Sequence, residues 1–497
     1  MLHFRRPLLT LTLAFATAAS AVLAQNAGAP LTLDEAIQRA LARNFDIRVG
    51  SLGLDIAKGN LLAEWGRYDP VLSASFTHDE DGSPQSADPF SGARPPSSIV
   101  ESDIVDFSLQ GASPWGFSYR LRANRQNRRG TFNSFADNYF TFAGVELTQP
   151  LLRGFGIAAN HGNILIARTD RRLSEWDYRQ AVMDTITQVI FTYHDLYLAQ
   201  RNLETARRSR DLAAGLLREN EIRARVGGLS ESDVTEARAR VASREEAILV
   251  AERTVREQEN FLKQLISDDR SLNLLTDTLT IVPPTPLPAL SPQPALDFRT
   301  ALDRRPDYQQ ARLLVERARV SRNIRRNQIL PRVDLVASYG YNGLDSDARE
   351  SRRQVEDRES RSYSAGAVVS LPLTWTAERG RYRAAKYTLE RAETQLEQIE
   401  QDVLIRLGNA AGQVETTLKR MEATRIAREL AQQNLDGELK KLRAGTGSTF
   451  FVLNQQELLS TAETREARAI ADHQRALAEY DRQLGATLER HRVTVAP

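Results

Sequence analysis

The feature that most constrains this chain is a plan written twice. Ala40-Leu41-Ala42-Arg43-Asn44-Phe45-Asp46-Ile47 is answered 261 positions later by Ala301-Leu302-Asp303-Arg304-Arg305-Pro306-Asp307-Tyr308. The same offset carries Pro70 onto Pro331, each opening a strand-like run. Leu147-Thr148-Gln149-Pro150-Leu151 matches Val369-Ser370-Leu371-Pro372-Leu373 at an offset of 222. Arg225-Val226-Gly227-Gly228-Leu229-Ser230 matches Arg443-Ala444-Gly445-Thr446-Gly447-Ser448 at an offset of 218, with Val234 falling on Val452 and Leu212 on Leu430. Each match is loose alone, but three in one order are a poor fit to coincidence.

Each half reads as helix, strands, long helix, glycine-containing turn, helix. From Pro150 to Gly227 is 77 residues, and from Pro372 to Gly445 is 73. At a rise of about 1.5 Å per residue, each stretch makes a helix about 110 Å long. No globular core houses such helices, so they are predicted to pack on one another lengthwise. Shorter helices are predicted over 33–66, 229–268, 297–330 and 448–488, two stacked end to end against each long one. Leu389, Ala392, Leu396, Ile399, Val403, Leu407, Ala410, Val414, Leu418 and Met421 span 32 residues in nine steps. That mean spacing, about 3.56, lies between the supercoiled and straight values and suits gently curved neighbours. A free two-stranded coiled coil would show the same stripe. Pro283, Pro284, Pro286, Pro288, Pro292 and Pro294 separate the halves. Proline at that density cannot continue a helix, so an extended crossover is predicted. The division is thus a first repeat over 25–268 with its tip turn at 226–231, a crossover at 269–296, a second repeat over 297–490 with its tip turn at 444–449, and a tail at 491–497.

Residues 1–24 read as a secretory signal: Arg5 and Arg6, an apolar run from Leu8 to Ala19, then small residues permitting cleavage after Ala24. The run is shorter than the roughly 20 residues of a spanning helix. Removing the two arginines takes the formal net charge from +2 to zero. With 26% charged residues and a mean hydropathy of −0.42, this is no polytopic helical membrane protein. If it spans a membrane, only a closed β-barrel satisfies its backbone there.

The strands fit that requirement. Val333, Leu335, Ala337, Tyr339 and Tyr341 alternate with polar or small residues, and so do Tyr363, Ala365, Ala367, Val369 and Leu371. Each run has the length and alternation of a barrel strand, lipid side against lumen side. A soluble sandwich strand would alternate too. In the first half the offset drops from 261 to 222, which leaves 39 extra residues. They hold two further alternating runs, Val105-Phe107-Leu109 and Trp115-Phe117-Tyr119-Leu121, joined by a turn at Gly111-Ala112-Ser113-Pro114. Six strands are predicted, over about 70–78, 103–110, 115–123, 139–148, 332–342 and 362–372, with long polar loops near 79–101 and 126–137.

Other chemistry is excluded or unsupported. Cysteine is absent, which removes disulfides, thiolate metal sites and cysteine nucleophiles. His3, His78, His161, His194, His473 and His491 stand at no ligand spacing, so no metal or cofactor is expected. No phosphate loop or nucleophile elbow is present, so no enzymatic activity is expected. Arginines alternate with glutamates at near-zero net charge, which argues against nucleic acid.

These residues carry a family resemblance. Leu31-Thr32-Leu33-Asp34-Glu35-Ala36 resembles the opening of TolC-like outer-membrane efflux proteins, Leu147-Thr148-Gln149-Pro150-Leu151-Leu152 their passage from barrel to helix, and Gly227-Gly228-Leu229-Ser230 with Gly445-Thr446-Gly447-Ser448 their helical hairpin tips. The resemblance covers essentially all of 31–488. It implies a mainly α fold with a transmembrane β-barrel segment: a long antiparallel α-helical barrel and a trimeric outer-membrane β-barrel, with a two-fold internal repeat. It further implies a homotrimer in outer-membrane lipid, the exit duct of a tripartite efflux or type I secretion system. The tip turns (Arg225, Gly227, Gly228, Leu229, Ser230, Arg443, Gly445, Thr446, Gly447, Ser448) would meet a periplasmic adaptor serving an inner-membrane transporter. The family closes its periplasmic end partly with acidic rings. Here the matching positions imply an aperture narrowed by Phe451 and Asn454, with Asp233 and Asp436 supplying charge. Family members with four strands per chain form twelve-stranded barrels, whereas six would give eighteen. The rival readings are a periplasmic coiled-coil adaptor and an envelope scaffold, with a secreted hydrolase more distant.

Overall fold

The computed structural model describes residues 30–228, 230–283, 292–444 and 446–494. The signal-like segment, Leu229, residues 284–291 of the proline-rich crossover, Gly445 and the last three residues lie outside them. Helices are numbered in chain order: α1 (Leu33–Arg43), α2 (Phe45–Trp65), α3 (Ile157–Asn160), α4 (Gly162–Arg225), α5 (Glu231–Ile266), α6 (Asn273–Thr276), α7 (Pro294–Arg304), α8 (Pro306–Gln328), α9 (Ala348–Glu356), α10 (Thr376–Arg443), α11 (Thr449–Leu484) and α12 (Thr487–Arg490). The strands are β1 (Val71–Ser83), β2 (Ser98–Ala112), β3 (Ser118–Gly130), β4 (Tyr139–Pro150), β5 (Arg332–Asp345) and β6 (Ser360–Ser370). No described helix is long and apolar enough to cross a membrane.

The long helices have 64 and 68 residues, about 100 Å each. They start later than the sequence pattern suggested, because α4 waits for the irregular segment after β4 and the single turn of α3. The predicted helix over 33–66 is two helices, and so is that over 297–330. Asn44 is extended (φ −63°, ψ 134°) and its carboxamide oxygen accepts from the amides of Asp46 and Ile47, at 2.8 and 3.3 Å. That restarts the chain as α2. Arg305, the position matching Asn44, is extended as well (φ −70°, ψ 125°), and Pro306 begins α8. Proline disfavours the helical conformation in the residue before it.

The chain forms two compact units, one comprising residues up to Gly50, Arg179–Pro306 and Asp402 onward, the other Ser51–Tyr178 and Asp307–Gln401. In the first, α11 is ion-paired to both long helices. Arg482–Asp184 (2.8 Å) and Arg475–Asp195 (3.0 Å) join it to α4, while Arg420–Asp472 (2.9 Å) and Arg428–Glu466 (2.8 Å) join it to α10. The buried Tyr193 donates from its hydroxyl to the carbonyl of Leu31 (2.9 Å), which ties the first described strand-like segment to α4. In the second unit, α8 stands in the same relation to the long helices. Arg317–Asp170 (2.7 Å) and Arg172–Glu316 (3.1 Å) reach α4, and Val315 and Ala318 pack on Leu389 of α10. The alternating arginines and glutamates are therefore in part seams between helices, not only solvated faces.

The second unit also holds the sheet, antiparallel throughout and in chain order, β1-β2-β3-β4-β5-β6. The hairpin formed by the extra residues lies inside it as β2 and β3, with Leu109 opposite Leu121. The turn between them is Ser113–Phe117, not Gly111–Pro114: the Ser113 amide donates to the Phe117 carbonyl at 2.7 Å. Trp115 and Phe117, which looked like strand residues, belong to that turn. The strands run further outward than the hydrophobic alternation showed, so the loops shrink to 84–97 and 131–138. The sequence predicted neither the nine-residue helix α9 between β5 and β6 nor the single turn α6, which interrupts the crossover predicted to be extended.

Candidate channel aperture and membrane sheet

The two tip turns are built alike. After α4, Gly227 takes φ +76°, a left-handed conformation that glycine enters without strain, and the Gly228 amide returns to the Arg223 carbonyl at 2.8 Å. Ser230 then caps α5. Its hydroxyl accepts from the Asp233 amide (3.3 Å) while the Asp233 carboxylate accepts from the Ser230 amide (3.2 Å). After α10, the amides of Thr446 and Gly447 return to the Lys441 carbonyl, each at 3.1 Å, and Ser448 caps α11 by accepting from the Phe450 amide at 3.2 Å. Arg225 folds back on the Glu221 carbonyl (3.3 Å), and Arg443 is exposed.

A cleft of about 330 Å³ brings Gly228 and Asp233 of one tip together with Gly447 and Ser448 of the other. Phe451, Asn454 and Asp436 do not line it. Phe451 and Asn454, three residues apart, share an exposed face of α11, and Phe451 is 54% exposed with Phe450 edge-on beside it. Asp436 is exposed on α10, its carboxylate accepting from Gln432 at 3.0 Å. Behind this face, Leu216, Leu435, Leu442, Val452 and Leu453 form the tip core. Thus Phe451 and Asn454 face outward because their neighbours Val452 and Leu453 face in.

The sequence reading missed Asn220. It lines the same cleft, is 1% exposed, and neither its carboxamide oxygen nor its nitrogen is bonded to another described residue. Burying both groups without partners is costly. The signal was present as a lone asparagine one turn beyond core residue Leu216.

The sheet has two unlike faces. Cross-strand pairing puts Leu72, Leu109, Leu121, Val145, Tyr339 and Tyr363 in one row, and Ala74, Phe107, Ala123, Ala143 and Tyr341 in the next. Tyr339 and Tyr341, two residues apart on this face, share a hydrogen bond at 2.9 Å. The opposite face carries Arg122–Asp106 (2.6 Å) and Arg120–Glu146 (3.5 Å) ion pairs. One face is made for an apolar surrounding and the other for water.

Three histidines sit in the helical unit. His194 is 2% exposed, and burial, aided by Arg475, pushes it down to about 4. Burial also lowers His473, which pairs with the Thr417 hydroxyl at 3.1 Å, and lowers His491. Among the described residues no group of histidine and carboxylate side chains could hold a metal ion.

Comparison with known proteins decides the family. The model of the outer membrane efflux protein family matches residues 116–267 and 298–486, more than half of the chain and most of both repeats. The chain belongs to the outer membrane efflux protein family. No curated protein matches it. Among solved structures it is similar to the Campylobacter jejuni CmeC outer membrane channel (16% identity, TM-score 0.68, 92% of this chain and 86% of that one). It is also similar to the Vibrio cholerae outer membrane protein VceC (17%, 0.66, 91% and 96%) and to the open state of the Neisseria gonorrhoeae MtrE outer membrane channel (17%, 0.64, 92% and 89%). At such identities the likeness concerns the fold: mainly helical, with long antiparallel helices and a sheet of membrane-barrel type.

Proposed function

We propose that three copies form an outer-membrane duct. The observation that carries this reading is the open sheet. Both edge strands, β1 with 13 residues and β6 with 11, lack a second partner among the described residues, and one sheet face is apolar. In lipid an unpaired edge is untenable, so the sheet must close against copies of itself. Six is an even number, so β6 of one copy meets β1 of the next antiparallel, and three copies give eighteen strands. The exposed apolar stripe Phe45, Val49, Leu52 and Ile56 on α2 supports association too, because 44–67% exposure of four such residues in register is a surface awaiting a neighbour.

The duct conducts passively, and the helical tips are its periplasmic end. There Phe451 and Asn454 narrow the aperture, and Asp436 supplies charge. Asp233 also supplies charge there, its carboxylate held in place by the α5 cap. The tip turns and the cleft at Asn220 receive a periplasmic adaptor, which links the duct to an inner-membrane transporter. A periplasmic adaptor or scaffold would have no use for a sheet face of exposed Leu72, Leu335, Tyr363 and Val369.

The test is single-channel recording from the detergent-purified, signal-cleaved protein in planar bilayers. The expected result is a small, stable conductance from a particle of three chains. A folded protein that stays soluble without detergent and never inserts would overturn the reading in favour of the adaptor.

A further inference from the structure

Helix α9 lies on the apolar face of the sheet, not over its mouth. Ser351, fully buried, donates from its hydroxyl to Thr141 (2.8 Å) and the Gly343 carbonyl (3.1 Å). Thr141 and Gly343 are cross-strand partners, in the same face as Tyr339 and Tyr341 by the two-residue period. A β-carbon on Gly343 would stand 1.9 Å from the Ser351 carbonyl oxygen, so only glycine lets the helix settle there.

Around this helix the apolar face ends in arginine. Arg125 pairs across the strands with Thr141, and Arg361 with Tyr341. Arg358 precedes β6 in a left-handed conformation, φ +59°. Arg358 and Arg361 both act electrostatically on the Tyr339 hydroxyl, and Arg125 on that of Tyr139. Arg125, Arg358 and Arg361 are exposed, and none forms an ion pair with another described residue. Their neighbours are spoken for. Arg352 holds Glu356 at 3.2 Å, Arg353 holds Glu350 at 2.9 Å, and Arg129 holds Glu101 at 2.7 Å.

The height of the patch is informative. From Val333 to Gly343 the strand climbs about 33 Å at about 3.3 Å per residue, or about 25 Å along the normal at barrel tilt. That is the thickness of a barrel's apolar band, so the three guanidinium groups and the tyrosine hydroxyls stand at headgroup level. Arginine is tolerated on the lipid side there, and its planar fork suits phosphate oxygens.

We propose that Arg125, Arg358 and Arg361, arranged around α9, bind the phosphate groups of an anionic lipid headgroup in the outer leaflet. This rests on the outer-membrane duct reading above. The patch gathers one headgroup per chain on the outside of the barrel, with Tyr139, Tyr339 and Tyr341 packing on its sugar or glycerol portion.

The experiment is native mass spectrometry of the detergent-purified full-length protein given diphosphoryl lipid A, monophosphoryl lipid A, or diphosphoryl lipid A with excess inorganic phosphate. The wild type is expected to retain the diphosphoryl lipid about fivefold better than the monophosphoryl form, and Arg125→Gln/Arg358→Gln/Arg361→Gln to lose most of that preference. The single variants should each lose part of it, so the outcome does not depend on the triple variant folding. Arg352→Gln/Arg353→Gln, which removes already paired arginines, should leave retention within about twofold. Equal retention by the variants and wild type overturns the proposal. So does displacement by inorganic phosphate alone, which marks an adventitious anion site. Conductance is recorded on the same preparations. Normal conductance with unchanged lipid retention defeats only the lipid site, whereas absence of insertion by the wild type defeats the duct and the site together.

Discussion

Phe451 illustrates how a side chain's placement is set by its neighbours. Val452 and Leu453 are 0% and 7% exposed in the tip core, so the helix turns Phe451 outward. Phe451→Ala is expected to raise single-channel conductance by about twofold, because a hydrophobic constriction gates by its bore and its dryness. Unchanged conductance in a trimer of normal stability would remove Phe451 from the aperture. Asn44 has a structural assignment of similar sharpness. It caps α2 and donates to the Leu265 carbonyl at 3.0 Å, so Asn44→Ala is expected to cost about 1–2 kcal/mol, read as a lower thermal midpoint. The sequence showed that position 44 matched position 305, but not that both were breaks. At Asn44 the helix pattern on either side is uninterrupted, and the break comes from a side-chain oxygen competing locally for backbone amides, whereas at Arg305 the following Pro306 makes it.

At the scale of elements, the strands were legible where one of their faces is apolar. Val333 to Tyr341 and Tyr363 to Val369 announced themselves by alternation. The outer ends did not. At His78–Ser83 and Arg125–Gly130 both sheet faces are polar, so a period of two leaves no hydrophobic contrast. Helix α9 escaped for a related reason. Ala348–Glu356 is almost wholly polar, and it is held to the sheet by hydrogen bonds of Ser351 with Thr141 and Gly343 and of Gln354 with the Leu344 amide. Gly343→Val is therefore expected to lift α9 from the sheet and expose the bonds after Arg352 and Arg353 to trypsin on intact cells, with the sheet retained. Protection equal to wild type would show that Ser351 is not what holds the helix.

The helical unit gives a pH dependence with a definite sign. His194 ionises at about 4 in the fold, against about 6.5 in the unfolded chain. The unfolded state thus binds a proton the native state refuses. The stabilisation is complete above pH 6.5 and is lost as the pH falls from there towards 4. At about 1.4 kcal/mol per tenfold change in proton affinity, the loss reaches about 3 kcal/mol. His473, shifted in the same direction, adds to it. His194→Gln should flatten the thermal midpoint between pH 7 and 5. A slope identical to wild type would mean that His194 is not the group responsible.

For the whole molecule, the open edges β1 and β6 predict an obligate assembly. Native mass spectrometry should find three chains and no folded monomer. A stable monomer in detergent would mean that the edges are covered in some other way. The exposed stripe on α2 was not legible in one chain's pattern, because Phe45, Val49, Leu52 and Ile56 read like the apolar face of any amphipathic helix.

The antiparallel order of the sheet has a consequence for descent. A strand that crosses a membrane delivers the chain to the opposite side. In the proposed duct, the four strands of the first repeat and the two of the second would each return the chain to the side from which it set out, where its next long helix must begin. A single added strand would strand half of the helices outdoors. Inheritance can therefore alter the bore of such a pore only in whole hairpins, and the 39-residue surplus of the first repeat is the size of one such increment. In the trimer proposed above, one such insertion in one gene would widen the ring by six strands at once.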